Sequence, residues 1–276
     1  MAANAHGEFA GAAGMTRWQG WEPEGAATAL VVIVHGLGEH GARYDWVGAQ
    51  LAANGYAAYA VDHHGHGLSD GNRANIDTMD GVADDVGSML AEATKRNPDV
   101  PRFLLGHSLG GLITLYYVTR RPVDLAGVVL SAPAADPGAV NFVERTAARV
   151  LSRVAPNLGV LQLDANAVSR DPVVVKAYVD DPLVHSGKIP ARTIGELIAA
   201  FDRMRPRLPD LQTPVLLMHG TADTLVSPEA SKLVEAEIGS KDLTVKYWDG
   251  LYHELLNEPE REEVLADTVA WLDAHR

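Results

Sequence analysis

Phe103-Leu104-Leu105-Gly106-His107-Ser108-Leu109-Gly110-Gly111-Leu112-Ile113-Thr114-Leu115-Tyr116-Tyr117-Val118 joins a short apolar run, a Gly-x-Ser-x-Gly segment and a longer apolar run with helical spacing. The pattern predicts a strand, a sharp turn and a helix, with Ser108 at the apex. A side chain held in a strained turn needs small neighbours, because a Cβ at position 106 or 110 would collide with the crossing backbone. The serine oxygen then stands above the end of a sheet, just ahead of a helix N-terminus. The first N–H groups of a helix have no intrahelical acceptor, so the Leu109 N–H can meet a developing oxyanion. Ser108 is thus the candidate nucleophile and Leu109 a candidate backbone donor.

On either side of that turn the chain alternates strand and helix patterns. Ala29 to Val34, Tyr56 to Val61, Arg102 to Leu105, Ala126 to Leu130 and Pro214 to Gly220 are apolar runs suited to strands buried on both faces. Leu243 to Tyr247 reads as a further strand, and residues 7 to 22 as an antiparallel hairpin at the start. Helical patterns cover about 44–53, 79–96, the segment from Ser108 to before Pro122, 228–238 and 259–274. This order predicts an α/β fold with a mostly parallel central sheet flanked by helices. The alternation stops between 137 and 208, where Val143, Ala147, Val150, Leu151 and Val154 follow a helical period and 190–206 is helical again. The expected organisation is a core of residues 1–136 and 209–276 with a helical insertion of 137–208. Between 139 and 210 there are ten basic and eight acidic side chains, whereas the whole chain carries a net charge of −13.

Such a charge argues against nucleic acid as a partner. Cysteine is absent, so thiol catalysis, disulfides and thiolate metal sites are excluded. The first 25 residues hold no basic segment followed by a long apolar core, and no apolar run approaches the ~18 residues that span a bilayer. A cytoplasmic protein, with room for peripheral membrane contact, is the expectation. The oligomeric state is open.

A serine nucleophile needs a base, and the base an orienting carboxylate. In a fold built around such a turn, these follow in the order Ser, Asp or Glu, His, on loops after strands. Asp223 in His219-Gly220-Thr221-Ala222-Asp223 and His253 in Gly250-Leu251-Tyr252-His253-Glu254 fit that order. Asp249 competes with Asp223 but shares a loop with His253. The second oxyanion donor is expected at the Leu37 N–H, between Gly36 and Gly38, in the loop after the first core strand. His63, His64 and His66 lack paired ligand spacing and are expected to bond backbone groups; neither a metal nor an organic cofactor is expected. Glu39, His40 and Arg43 read either as a charged network beside the Leu37 loop or as a solvated turn with a weak ion pair.

With these residues in place the chain resembles the monoacylglycerol lipase family of the α/β-hydrolase superfamily, especially its bacterial members. The matching segments are His35-Gly36-Leu37-Gly38-Glu39-His40 with Arg43-Tyr44, Asp62 to Ser69, Gly106 to Gly111, and Leu130-Ser131-Ala132-Pro133. They continue with Ser169-Arg170-Asp171-Pro172, Tyr178, Asp181-Pro182-Leu183-Val184, His219 to Asp223, and Tyr252-His253-Glu254 with Asn257-Glu258. His64 and Leu68 stand where the family commonly has basic residues, and Leu109 where it often has methionine. The resemblance implies that the insertion is a cap forming an apolar acyl tunnel with a polar end for glycerol. It implies ester cleavage of monoacylglycerols. The same machinery on lysophospholipids, simple carboxylic esters or thioesters, and a non-catalytic binding module, are the alternatives. A face of the insertion bearing Val143, Ala147, Val150 and Leu151 is expected to meet lipid aggregates.

Overall fold

The computed structural model describes residues 2–136, 138 and 142–276, with Phe142 described by its backbone. The expected start of the insertion, Pro137, lies outside the described residues. Strands β1 (Ala5–Gly11), β2 (Gly14–Trp21), β3 (Ala29–Val34), β4 (Tyr56–Val61), β5 (Arg102–His107) and β6 (Gly127–Ser131) precede the insertion. Helices α1 (Asp45–Ala53), α2 (Met79–Arg96) and α3 (Leu109–Arg120) connect them. The insertion holds α4 (Phe142–Val154), β7 (Gly159–Leu161), α5 (Pro172–Asp180), β8 (Ile189–Pro190) and α6 (Ala191–Met204). The chain closes with β9 (Val215–Gly220), α7 (Glu229–Glu237), β10 (Leu243–Trp248) and α8 (Arg261–Ala274).

The eight-stranded sheet runs β1-β2-β4-β3-β5-β6-β9-β10. Only the β1–β2 and β2–β4 pairs are antiparallel; every later pair is parallel. β3 shows why its sequence is apolar throughout. Leu30, Val32 and Val34 enter one core and Ala29, Val31 and Ile33 the other, since successive side chains point to opposite faces. Helices cover both faces, so no alternation of polar and apolar residues survives.

The insertion departs from the expected all-helical form. β7 and β8 pair antiparallel across its middle. Each is too short for a strand period to register in the sequence. Val173-Val174-Val175, which looks strand-like in isolation, lies in α5. Asp171 sets that outcome: its carboxylate accepts the Val173 N–H at 2.8 Å, and Pro172 occupies the first helical position.

Parallel pairing brings the C-terminal ends of β3, β5, β9 and β10 to one edge of the sheet. The loops leaving those ends carry Leu37, Ser108, Asp223 and His253, where ligands of open α/β sheets bind.

Candidate active site

Ser108 has φ 53° and ψ −118°, a left-handed conformation that a residue with a Cβ rarely adopts. The turn is held from both sides. Ser108 N donates to Ser131 O at 2.9 Å, and Ala134 N donates to Ser108 O at 2.9 Å. The glycines are sterically required: a Cβ on Gly110 would lie 1.8 Å from Val34 O, and one on Gly106 2.6 Å from Gly110 O. Leu109 heads α3, so its N–H has no acceptor within the helix.

Asp223 and His253 meet through backbone stitching between their loops. Thr221 N donates to Trp248 O at 2.9 Å, and Ala222 N to Leu251 O at 3.0 Å. His253 Nδ1 then lies 2.6 Å from Asp223 Oδ2, with both side chains buried. That leaves Nε2 as the imidazole atom able to take a proton. Asp249 takes a different partner, accepting from Thr221 Oγ1 at 3.1 Å. Burial alone would raise the Asp223 carboxyl, but hydrogen bonds from His219 and His253 hold it well below the usual carboxylate range. The His107 ring packs 4.7 Å from the His253 ring, and burial followed by the nearness of His253 pushes it down to about 4.

The Leu37 loop is organised by two side chains. His63 N donates to His35 Nε2 at 3.1 Å, so the His35 proton sits on Nδ1 and is given to Gly36 O at 2.8 Å. Glu39 Oε1 accepts the Gly36 N–H at 2.6 Å. The Gly36 carbonyl is thus drawn inward, and the Leu37 N–H of the same peptide plane points the other way. His63 and His66 pack around His35 and bond backbone oxygens. Among the described residues no three His, Cys, Asp or Glu side chains are arranged to hold a metal.

Glu39, Arg43 and Glu254 form a buried network rather than a solvated turn. Arg43 Nη1 reaches Glu39 Oε2 at 2.7 Å, and its two terminal nitrogens clasp Glu254 at 2.7 Å each. Burial would lower the guanidinium, but the two carboxylates raise it further above its ordinary value. Tyr178 of α5 lies under Arg43, with the guanidinium 4.6 Å from the ring centroid. Sequence reading offers the network of Glu39 and Arg43 as one of two alternatives and does not join Glu254 to it, because charges in a loop carry no signal of burial.

The insertion docks on the same loops. His185 N donates to Gly38 O at 2.8 Å, and His40 Nε2 lies 2.9 Å from Asp181. Glu254 N donates to Val168 O at 2.8 Å, Ser169 Oγ to Asn257 O at 3.0 Å, and Arg170 N to Glu258 at 2.7 Å. Beneath it lies a cavity of about 940 Å³ touched by Leu37, Ser108, Leu109 and His253. Leu112, Ile194, Leu197, Ile198 and Phe201 give it an apolar wall. Its charged lining residues, among those described, are Glu39, Asp136, Asp164 and Glu254; no Lys or Arg lines it.

Residues 25–260 match the family described as serine aminopeptidase, S33. The chain is 39% identical to a monoacylglycerol lipase of Mycolicibacterium smegmatis over 97% of this chain and 96% of that protein. It is 35% identical to a monoglyceride lipase of Mus musculus, over 93% and 86%. The crystal structure of a monoacylglycerol lipase from Paleococcus ferrophilus superposes with a TM-score of 0.84 at 34% identity, covering 94% of this chain and 98% of that one. With the parallel sheet, the serine turn and this coverage together, the chain belongs to the monoacylglycerol lipase family of α/β-hydrolases.

Proposed function

We propose that the protein hydrolyses the ester of monoacylglycerols through an acyl-serine intermediate, with Ser108 as nucleophile, His253 as base and Asp223 as its partner. His253 Nε2 takes the Ser108 proton as Oγ attacks the carbonyl. The N–H groups of Leu37 and Leu109 stabilise the oxyanion. His253 then returns the proton to the leaving glycerol, and a water activated by His253 releases the fatty acid. The observation that carries this reading is the buried 2.6 Å His253–Asp223 contact, with His253 lining the same cavity as the strained Ser108. Ser108→Ala is expected to abolish turnover and labelling by an alkyl fluorophosphonate while leaving the fold intact. Retained hydrolysis would overturn the assignment.

The lining favours an uncharged alcohol over a phosphorylated one. A long single acyl chain fits the apolar wall, and a phosphate would face carboxylates with no lining cation to meet it.

The insertion, taken as residues 137–208, serves in this reading as a cap that contacts lipid aggregates. Val150 is 52% exposed, Val154 73%, Leu158 51% and Val173 72%, and exposed Leu161 also touches the cavity. Apolar exposure leading to a cavity mouth suits transfer of a chain from an aggregate. Val150→Glu with Val154→Glu is expected to reduce sedimentation with lipid vesicles and turnover of aggregated substrate, but not of a dispersed short-chain ester. Unchanged behaviour on both would refute the docking face.

A further inference from the structure

We propose that His219 and Ser231 position the Asp223 carboxylate, extending the catalytic array two residues into the core; this rests on the assignment of Ser108, His253 and Asp223 above. His219 closes β9 and Ser231 lies on α7, and both side chains are buried. Neither touches the cavity, and the mechanism above does not use them.

The hydrogen bonds fix the direction of every proton. His219 Nε2 faces Asp223 Oδ2 at 3.1 Å and Val226 O at 3.0 Å. With Asp223 ionised, both are acceptors only, so Nε2 carries the proton and shares it between them. In the neutral ring Nδ1 is then bare, and Ser231 Oγ donates to it at 2.6 Å. The chain of donation runs Ser231 to His219 to Asp223.

Asp223 is left with no vacant acceptor site. Oδ2 takes His253 Nδ1–H and His219 Nε2–H. Oδ1 takes the N–H groups of Leu225 at 2.8 Å and Val226 at 3.0 Å. Two donors on each oxygen match the roughly four lone-pair sites of a carboxylate. The plane of the group is therefore set before His253 binds to it. His219 acts on the very oxygen that receives His253, so its loss leaves that oxygen with one donor and lets the carboxylate turn. The base would then be held in a wider range of orientations, which costs turnover rather than substrate affinity.

The test compares His219→Leu, His219→Gln and Ser231→Ala on one soluble short-chain ester, with circular dichroism to confirm folding. The second readout is the downfield proton resonance of the His253–Asp223 hydrogen bond. His219→Leu should lower kcat roughly ten- to a hundredfold, the worth of one hydrogen bond to a charged group, with KM unchanged. Its downfield resonance should move or broaden. His219→Gln, which keeps a donor, should restore kcat to within a few-fold of the parent. Ser231→Ala should lower kcat a few-fold and shift the resonance. Folded His219→Leu with parental kcat and an unmoved resonance would overturn the proposal, as would a Gln variant as impaired as Leu. If His219→Leu does not fold, Ser231→Ala decides: an unmoved resonance and parental kcat overturn it. Ser108→Ala run alongside keeps the two readings apart, because residual turnover there sinks the nucleophile assignment whatever His219 does.

Discussion

Replacing Arg43 by methionine tests the buried network most directly. Methionine can keep apolar contact with Tyr178 while removing the charge. It leaves Glu39 and Glu254 facing each other in a protein interior with their shared cation gone. Removing one partner of a buried ion pair costs about 3–5 kcal/mol, because the other charge stays buried. At about 2 °C per kcal/mol for a chain of this size, Tm should fall by about 6–10 °C. The sign with pH separates this from lost packing. Burial alone would raise the Glu254 carboxyl, but the charge and hydrogen bonds of Arg43 hold it below its ordinary value. In the native protein Glu254 thus adds stability above the unfolded pKa of about 4.3, and that contribution is lost as pH falls. In Arg43→Met burial is unopposed and the carboxyl rises. Unfolding then releases a proton, so the variant loses stability as pH climbs above about 4.3. The Tm gap between parent and variant should be widest near pH 7 and narrow towards pH 4. Turnover should fall as well, since Glu39 holds Gly36 N and Glu254 adjoins His253. Thermal melts from pH 4 to 8 read the gap, and one that is small or constant with pH would refute this account.

Gly110→Ala should abolish labelling of Ser108 and cost at least about 3 kcal/mol, because the new Cβ meets backbone at Val34 O 1.8 Å away; parental Tm and activity would show that the elbow tolerates bulk. Acid should destabilise the fold through His35, His63, His66 and His107, all buried and held below their ordinary range, His63 at about 3, His66 and His107 at about 4. Each binds a proton when unfolded but not when folded, so stability present above pH ~6.5 is lost at up to about 1.4 kcal/mol per pH unit per histidine as pH falls towards the folded pKa. The urea midpoint should drop steeply from pH 6 to 4.5, and His63→Gln should flatten the slope; an unchanged slope would refute it. A monoacylglycerol should be cleaved at least about thirtyfold better than its glycerol-phosphate counterpart, since one carboxylate about 8 Å from a phosphate charge costs roughly 2 kcal/mol at an effective dielectric constant of about 20; equal kcat/KM would refute the charge argument.

The sheet was legible because two-sided burial leaves unbroken apolar runs such as Ala29 to Val34, and period alone identifies them. Ser108, Asp223 and His253 could be singled out because each follows a strand end in a fixed order. The short β7–β8 pairing left no trace, since three residues or fewer cannot display a period. In the sequence His219 stands only as the end of the strand leading to Asp223. Its spacing of four from Asp223 is a helical signal, but these residues form a strand end and a turn. Only the fold brings Nε2 onto the carboxylate, and only α7 supplies Ser231 behind it.

The same distinction governs the insertion. Its α4 has a period that can be read, and α5 has its local cap, whereas the placement of residues 168–185 is decided by what they meet. Val168, Ser169 and Arg170 bond the loop that holds His253, while Tyr178, Asp181 and His185 bear on the loop that holds Leu37. Those contacts are made to the two loops, and Arg43 ties the loops to each other through Glu39 and Glu254. His253, Leu37 and the insertion residues over the cavity therefore share one connected set of polar contacts. A substitution at Arg170 or Asp181 should then disturb the site although neither residue reaches the cavity. Such an effect acts through the loops and leaves the apolar wall formed by Ile194, Leu197 and Phe201 in place.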